Sequence, residues 1–563
     1  MAPNLRVIVG YDCIRENVTK SQDTPTNASV LDCDVRFQAT SLDNIHLTTQ
    51  DEIRKIILKS PNKSCQLDPL PTWLLKDCID ILLPLITTLI NRSLIEGMVP
   101  IELKRAVIRP LLKKPDLNTD EHKNYRPVSN LSYISKILEK VVGKRIDAYL
   151  LENDLYDSFQ SAYRTGHSTE TTLLKVQSDI AEELDKGSTV ALVMLDLSAA
   201  FDTIDHDILI KRFEHSYGIT SKALSWMKSY LTDRSQCVCV GESFSKYVKL
   251  CYGVPQGSVL GPRMYCLYSV PVGNIIRQHG LSYHIYADDT QLYIKVNSTA
   301  LNHTKRSLEL CLADIDDWMK NNLLKLNQDK TDFILFSPRR NADPRLVFEI
   351  TLDNTKIKTS DSVRNLGIEM DCHLTMERHI SKIVRTSNYL LRNMWHIRKF
   401  LNKKSCKTLV QGTITSRLDY ANSLLYGLPQ HQILKLQKIQ NSAARLITKT
   451  RKREHITPIL KDLHWLPIRM RPIYKSLTLT HKSIHSTSPD YLSDMLKVYH
   501  PARPLRSQNR LLLTIQDSNQ TKYSKRSFRH SAPHLWNKLP QDLRDIVEFD
   551  IFKRKHKTYL FEK

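Results

Sequence analysis

Asp196 closes a run of six apolar residues, Val190-Ala-Leu-Val-Met-Leu195, and the pair Asp288-Asp289 lies between two short β-like segments, His284-Ile-Tyr-Ala and Thr290-Gln-Leu-Tyr-Ile294. One acid at the end of a buried strand and two at a hairpin tip can converge on one sheet edge. Two or three carboxylates from different strands hold hard divalent cations and leave positions for water and phosphate. Nucleotidyl transfer needs such a set, with two ions bridging the attacking oxygen and a triphosphate. The expected ions are two Mg2+, with Mn2+ as a substitute. The backbone carbonyl of Leu197 can add one more oxygen. Taken singly, each of these acids reads as a helix cap or a solvated turn; the combination is what points to metal.

The elements that must hold these acids are legible around them. The run ending at Leu195 reads as a strand buried on both faces. A helical stretch begins near Asp205. Residues 236–252 alternate like a hairpin with Gly241-Glu242 as its turn. A Gly/Pro loop, Gly253-Val-Pro-Gln-Gly-Ser-Val-Leu-Gly-Pro262, leads to a helix through Ile276, and the Asp288-Asp289 segment follows hairpin logic. Before them come helices over 47–99, with Thr48 or Thr49 as a cap, a strand at 106–114, a polar loop to Tyr125 and a helix from Ile134 to Leu151. After them come a helix over 301–322, β-like segments at 331–337 and 348–352, and basic helices at 380–401 and 430–448.

This order is an α+β core followed by an all-helical basic segment. The expected divisions are a linker or truncated edge at 1–45, a helical extension at 46–95, a core at 96–370, a helical segment at 371–450 and a basic C-terminal region at 451–563.

The 563-residue chain has 82 Lys+Arg against 59 Asp+Glu, a formal net charge of +23. A field of that sign concentrates polyanions, nucleic acid first. The 11 Cys are an odd number without CxxC pairs, which fits a reducing compartment better than a disulfide framework or a zinc site. The N-terminus has no signal-peptide pattern. The longest apolar run, Ile79–Ile95, is broken by Asp80, Pro84, Asn91 and Arg92, so no membrane span is expected.

The wording of the motifs goes further. Asp196-Leu-Ser-Ala-Ala-Phe-Asp-Thr-Ile-Asp-His206, the loop Gly253–Pro262 and Tyr286-Ala-Asp-Asp-Thr290 resemble motifs A, B and C of reverse transcriptases, in the form of the non-LTR (LINE-type) retrotransposons of the jockey-like group. Arg109-Pro-Leu-Leu-Lys-Lys114 with Asn124–Asn130, and Phe159–Thr169, resemble the fingers. Leu326–Thr331 resembles motif D, Asn365–Ile368 the primer grip, and Gln66–Pro71 the N-terminal extension of these enzymes. The resemblance runs over roughly residues 60–450. It implies a right-hand polymerase of fingers, palm and thumb with an antiparallel palm sheet, which copies retroelement RNA into DNA from an RNA template, a DNA primer and dNTPs.

Residue by residue, the resemblance implies that Asp196, Asp288 and Asp289 hold the metals. Phe201 stacks under the incoming sugar and excludes a 2′-hydroxyl. Gln256 and Gly257 contact nucleotide and template, Lys113 and Arg126 neutralise the triphosphate, and Lys330 protonates the leaving pyrophosphate. Arg378, Lys382, Arg385 and Arg392 recur at near-helical spacing and suit phosphate contacts. Action on chromosomal DNA implies an intracellular protein that is nuclear at the point of action, although Arg451-Lys-Arg453 is too short for a convincing signal.

Some expected parts are missing from the sequence. The residues ahead of the resemblance are too few for an apurinic-type endonuclease. No Cys/His knuckle and no second acidic constellation for an RNase H are evident. Arg263-Met264 stand where relatives carry aliphatic residues, a departure that either perturbs the helix there or is tolerated at its tip. The main alternative is a catalytically inactive RNA-binding relic of the same fold. An RNA-templated RNA polymerase is disfavoured by Phe201, and a group II intron maturase by the wording of Gly257–Pro262.

Overall fold

The apolar run before Asp196 becomes the strand Thr189–Leu195, whose residues are nearly all buried. Its neighbours explain this: in a four-stranded antiparallel sheet it is flanked by Asp332–Phe336 on one side and Asp289–Val296 on the other. A computed structural model describes residues 40–63, 65–121, 124–198, 200–296, 301–338, 349–353, 355–500, 511–515 and 523–562. The expected linker lies outside the described residues except at its end. There Leu42 bridges Ile219, and Leu42 and Ile45 are buried, so this end is packed rather than a loose connection.

In chain order the main elements begin with α1 Gln50–Lys59, α2 Ile79–Glu96, β1 Arg105–Leu112, β2 Tyr125–Leu131, α3 Tyr133–Glu152, α4 Thr169–Asp185, β3 Thr189–Leu195 and β4 Leu197–Ser198. Next come α5 His206–His215, α6 Ser221–Leu231, β5 Arg234–Val240, β6 Ser243–Phe244, β7 Val248–Leu250, α7 Gly261–Ser269, α8 Pro271–Gln278, β8 Ser282–Tyr286 and β9 Asp289–Val296. They are followed by α9 Leu301–Asn321, β10 Lys325–Leu326, β11 Asp332–Phe336, β12 Glu349–Leu352, β13 Thr355–Lys358, β14 Ser362–Asn365 and β15 Ile368–Asp371. The C-terminal helices are α10 Glu377–Ile397, α11 Lys403–Val410, α12 Gln430–Thr448, α13 Ile456–Asp462, α14 Met470–Ile484, α15 Phe528–Asn537 and α16 Phe549–Glu562. This is a mixed α+β chain whose strand pairings are antiparallel except for β1 with β5, which run parallel.

Two compact units share the chain by interleaving. The first comprises Met1–Tyr163, Asp196–Gln278 and Cys311–Asn327; the second comprises Arg164–Leu195, His279–Leu310 and Gln328–Lys563. The first holds the sheet β2-β1-β5-β6, with β7 also on β5, and the small ladder β10-β4. The second holds β11-β3-β9-β8, with α4 packed on β3 and β8, and two hairpins, β12-β13 and β14-β15.

Local signals account for most of these boundaries. Thr49 caps α1 by accepting from the Glu52 N–H. Asp205 caps α5 through the Ile208 N–H. Gly97, at φ +68, ends α2. The Gly241-Glu242 turn joins β5 to β6 as expected, and the returning arm resumes as β7. The expected single helix to Ile276 is two, broken ahead of Pro271, which has no N–H to continue the ladder. Phe348, the expected start of β12, lies outside the described residues.

Several elements were not anticipated, among them β2, α4 and the strands β13, β14 and β15. Residues expected to follow a polar loop form β2, an edge strand where Pro127 needs no ladder donor. Helix α4 opens on a reciprocal Ser168/Thr171 capping box. The C-terminal region is also ordered helix: Leu477, Trp536, Leu539, Leu543 and Phe552 share a core across α14, α15 and α16. Among the described residues no helix is long and apolar enough to cross a membrane.

Candidate active site

In the second unit, β8 and β9 pair as far as Tyr286 opposite Asp289, leaving Ala287 and Asp288 as a two-residue turn. Ala287 adopts φ +58, the left-handed first position that a type II′ hairpin turn requires and that a non-glycine residue takes at a cost. The acids therefore sit at the tip as expected, Asp288 half-buried in the turn and Asp289 exposed at the start of β9. The register of β9 with β3 ends at Thr290 opposite Leu195. Asp196 is the residue after Leu195 in the chain.

Gln291, two residues past the tip pair, is buried and accepts a 2.7 Å hydrogen bond from the Asn365 amide. Asn365 ends β14, and Leu366 and Gly367 turn the chain into β15. The segment matched to the primer grip is thus tied directly to the strand that carries the acids.

In the first unit, Asp196 leads into the short ladder of β4 with β10. Its carbonyl accepts the Asn327 N–H at 2.9 Å, and Leu197 then stands opposite Leu326. In an antiparallel ladder, bonded and non-bonded pairs alternate. The pair Leu197–Leu326 is the non-bonded one, so the Leu197 carbonyl is not spent on β10.

Five residues on, Phe201 is half-buried, with its ring 5.0 Å from that of Tyr265. Its carbonyl accepts from the Val254 N–H at 2.8 Å, and the Ile204 carbonyl accepts from the Gly253 N–H at 2.7 Å. These bonds stitch the turn after Asp196 to the Gly/Pro loop. On the loop's other side, the Gln256 carbonyl accepts from the Ser129 N–H of β2 at 2.7 Å. Gly257, at φ +112, lies so close that an added Cβ would stand 2.7 Å from the Ser129 carbonyl oxygen.

This packing carries a prediction. Gly257→Ala meets both a forbidden φ and a backbone clash, so unfolding free energy falls by about 3 kcal/mol. Urea denaturation of parent and variant measures it, and a loss below about 0.5 kcal/mol would show that the loop tolerates the side chain.

The other expected site residues fall as follows. Lys113 and Arg126 are exposed at the loop end of the β1–β2 hairpin, Arg126 opposite Leu111, and the Lys113 charge is felt at Asp202. Lys330 is exposed at the end of a short 3-10 turn, Gln328–Lys330. Arg378, Lys382, Arg385 and Arg392 are all exposed on one stripe of α10, and exposed Tyr389 lies in the same stripe. Two of the four are already engaged: Lys382 is ion-paired with Glu369, and Arg378 lies 3.9 Å from Asp361 and donates to Ser362.

Among the described residues no three His, Cys, Asp or Glu side chains form a ready metal cage. Hard oxygen donors are nevertheless present on both strands that carry the motifs, and Mg2+ is held by one or two carboxylates with water and substrate phosphate completing its shell.

Residues 112–370 match the family model described as reverse transcriptase (RNA-dependent DNA polymerase). The chain carries a reverse transcriptase domain. It is 29% identical over 437 residues to a probable RNA-directed DNA polymerase from transposon BS of Drosophila melanogaster, covering 73% of this chain and 45% of that protein. It is 26% identical over 410 residues to the RNA-directed DNA polymerase from mobile element jockey of the same species, covering 71% and 44%. A Pol polyprotein from the type-1 element R1 of Bradysia coprophila matches at 26% over 347 residues, covering 60% and 33%. The chain spans less than half the length of these relatives. The resemblance to LINE-type reverse transcriptases carried by the motifs is therefore met by relatives that match 60–73% of this chain as well.

Within the reverse transcriptase domain, three side chains that motif reading passed over do much of the positioning. Glu139 of α3 is fully buried, and its carboxylate accepts the N–H groups of Val259 and Leu260 at 2.5 and 3.0 Å. Burial pushes its pKa up, while the Arg234 charge and the two N–H groups partly offset this. Asp147 takes a bidentate grip from Arg263, with Nε and Nη2 both 2.9 Å from its oxygens. Of the two outcomes open for Arg263-Met264, tolerance is the one found: the helix forms, Arg263 is paired and Met264 is buried.

The third is Asp202, whose Oδ2 accepts from the Gln256 amide at 2.8 Å. Burial pushes its pKa up to about 6 from the usual 3.8, against the lowering pull of Gln256 and Lys113. An acid whose folded pKa is raised binds its proton better in the folded state. Its contribution therefore favours folding below pH ~4 and is lost as pH rises through about 6. In Asp202→Asn this decline between about pH 4 and 6 disappears. Denaturation midpoints of parent and variant across that range test it, and parallel curves would reject the assignment.

Proposed function

We propose that this chain is an RNA-directed DNA polymerase that copies retroelement RNA from a DNA primer with dNTPs, by nucleotidyl transfer assisted by two divalent ions. The observation that carries the reading is the β8–β9 turn, which holds Asp288 and Asp289 at the end of the ladder that β3 leaves at Asp196. In this reading residues 96–370 are fingers and palm, 371–450 are the thumb, and the protein acts in the nucleus.

Asp196, Asp288, Asp289 and the Leu197 carbonyl would hold the ions, Mg2+ by preference. When bound, these would activate the primer 3′-oxygen and neutralise charge on the triphosphate. Lys113 and Arg126 draw in the triphosphate from the loop end of their hairpin. Gln256, oriented by Asp202, and Gly257 present the loop to nucleotide and template. Phe201, backed by Tyr265, closes the space beside the sugar's 2′ position. Lys330 gives a proton to the leaving pyrophosphate. The basic stripe of α10 contacts phosphates of the template–primer duplex, which fixes position without reading sequence.

Primer extension on poly(rA) with an oligo(dT) primer, dTTP and Mg2+ tests the reading. Extension is expected, and chelation abolishes it. A folded protein that binds the hybrid and extends nothing would leave an RNA-binding relic of the same fold.

A further inference from the structure

A cavity of about 490 Å3 opens in the C-terminal part of the second unit, lined by residues outside the matched segment 112–370. That volume is in the ~300–1,000 Å3 range of small-ligand sites. Lys407 of α11, Arg471 and Lys475 of α14 and Lys557 of α16 all line it. One wall is the π-helical turn Gln411–Thr415, a backbone form concentrated at functional sites.

The charge here is only partly balanced. Arg471 is buried and paired with Asp419 at 2.6 Å, and Lys475 lies 3.1 Å from Glu170. Lys407 and Lys557 are half-buried, and among the described residues neither has an ion pair. Other basic residues of α16, Lys553, Arg554 and Lys555, stand out in solvent instead. Burial holds the Lys557 ammonium below its usual pKa, and the charges of Arg471, Lys553 and Lys407 lower it further against the opposing pull of Asp419. The lining thus sets four cations, Lys407, Arg471, Lys475 and Lys557, against the single carboxylate of Asp419, which Arg471 already engages, and the excess positive charge suits an anion.

A second observation points to the rest of the ligand. Asn422, 5% exposed, lines the same cavity. Its amide nitrogen is turned to Asp419 at 3.3 Å, which leaves Oδ1 buried with no hydrogen-bond partner. A buried orphan acceptor costs about 1–3 kcal/mol unless a donor meets it. An anion held through its oxygens between the two ammonium groups leaves this acceptor unmet, whereas a nucleoside hydroxyl or exocyclic amine on the same molecule supplies the donor. Buried Trp465 adds an apolar flank.

We infer that this cavity binds a phosphorylated nucleotide unit, its phosphate between Lys407 and Lys557 and a nucleoside donor on Asn422 Oδ1. The unit can be the end of a nucleic-acid strand or a free nucleotide. The inference does not rest on the polymerase reading.

The test uses the full chain with a 5′-phosphorylated RNA dinucleotide and, separately, Mg2+-free ATP. Acetylation of surface lysines in the unmodified protein is read by mass spectrometry. Both Lys407 and Lys557 should be protected by the dinucleotide, and protection by ATP as well would identify a free-nucleotide site rather than a strand-end site. In calorimetric titrations Lys407→Glu and Lys557→Glu should each weaken binding of the protecting probe about tenfold or more. Equal protection by inorganic phosphate would overturn the nucleotide assignment. No protection by any probe would overturn the site.

Discussion

Replacing Asp288 and Asp289 together with Asn lowers primer extension by about 10^3-fold or more and leaves the fold intact. Asn keeps the shape and the hydrogen-bonding oxygen of each side chain but removes the charge that a hard divalent cation requires. The turn position makes the comparison clean. Asp288 is half-buried and Asp289 exposed, so neither change opens a cavity. The register from Tyr286–Asp289 onwards is set by the backbone, and the strain at Ala287 is unchanged. Stability should stay within about 0.5 kcal/mol of the parent.

The measurement is single-turnover extension beside circular dichroism and hybrid binding. Asp196→Asn should behave in the same way, because it follows directly on β3. Lys330→Ala, the removal of a proton donor, should cost only about 10^2-fold. If the doubly substituted protein extends primers like the parent, the acids at the tip are turn residues and the metal assignment falls.

The second large effect is on substrate choice. Phe201→Ala should reduce the preference for dNTPs over rNTPs by about 10^2-fold while retaining dNTP incorporation. The backbone at this position is held independently of the ring, by the Phe201 carbonyl on the Val254 N–H and by the Gly253 N–H on Ile204. Truncation therefore removes the ring without releasing the turn, and opens space beside Tyr265. Because Phe201 is only half-buried, the stability cost should be about 1–2 kcal/mol, below that of a full core Phe. The ratio of kcat/KM for dTTP and UTP on poly(rA) reads the effect. An unchanged ratio would mean that the ring is simply part of the packing against Tyr265.

Much of the site was legible because its signals are local. The apolar run before Asp196, the two β-like arms around Asp288-Asp289 and the turn at Gly241-Glu242 each depend on neighbouring residues, and all formed where read. The caps at Thr49 and Asp205 are likewise short-range. The α10 stripe follows from helical spacing alone, since residues at four- and three-residue steps share a face. What spacing could not tell was that Lys382 and Arg378 find Glu369 and Asp361 in the hairpin before the helix.

Sequence alone determined the α+β character of this protein, the order of its motifs, its basic charge and its family. Those properties are written in periods of two and 3.6 residues, in turn chemistry and in fixed motif wording. Only tertiary structure decided what supports the motifs. Glu139 reaches the Val259 and Leu260 amides across 120 residues of chain, Asp202 finds Gln256 across 54, and Arg263 finds Asp147 across 116. It also decided that the basic C-terminal residues enclose a cavity rather than remain a charged tail. A carboxylate carries no local mark of a partner that far along the chain. Its role is set by which helices pack together, and burial then makes the missing or present partner decisive.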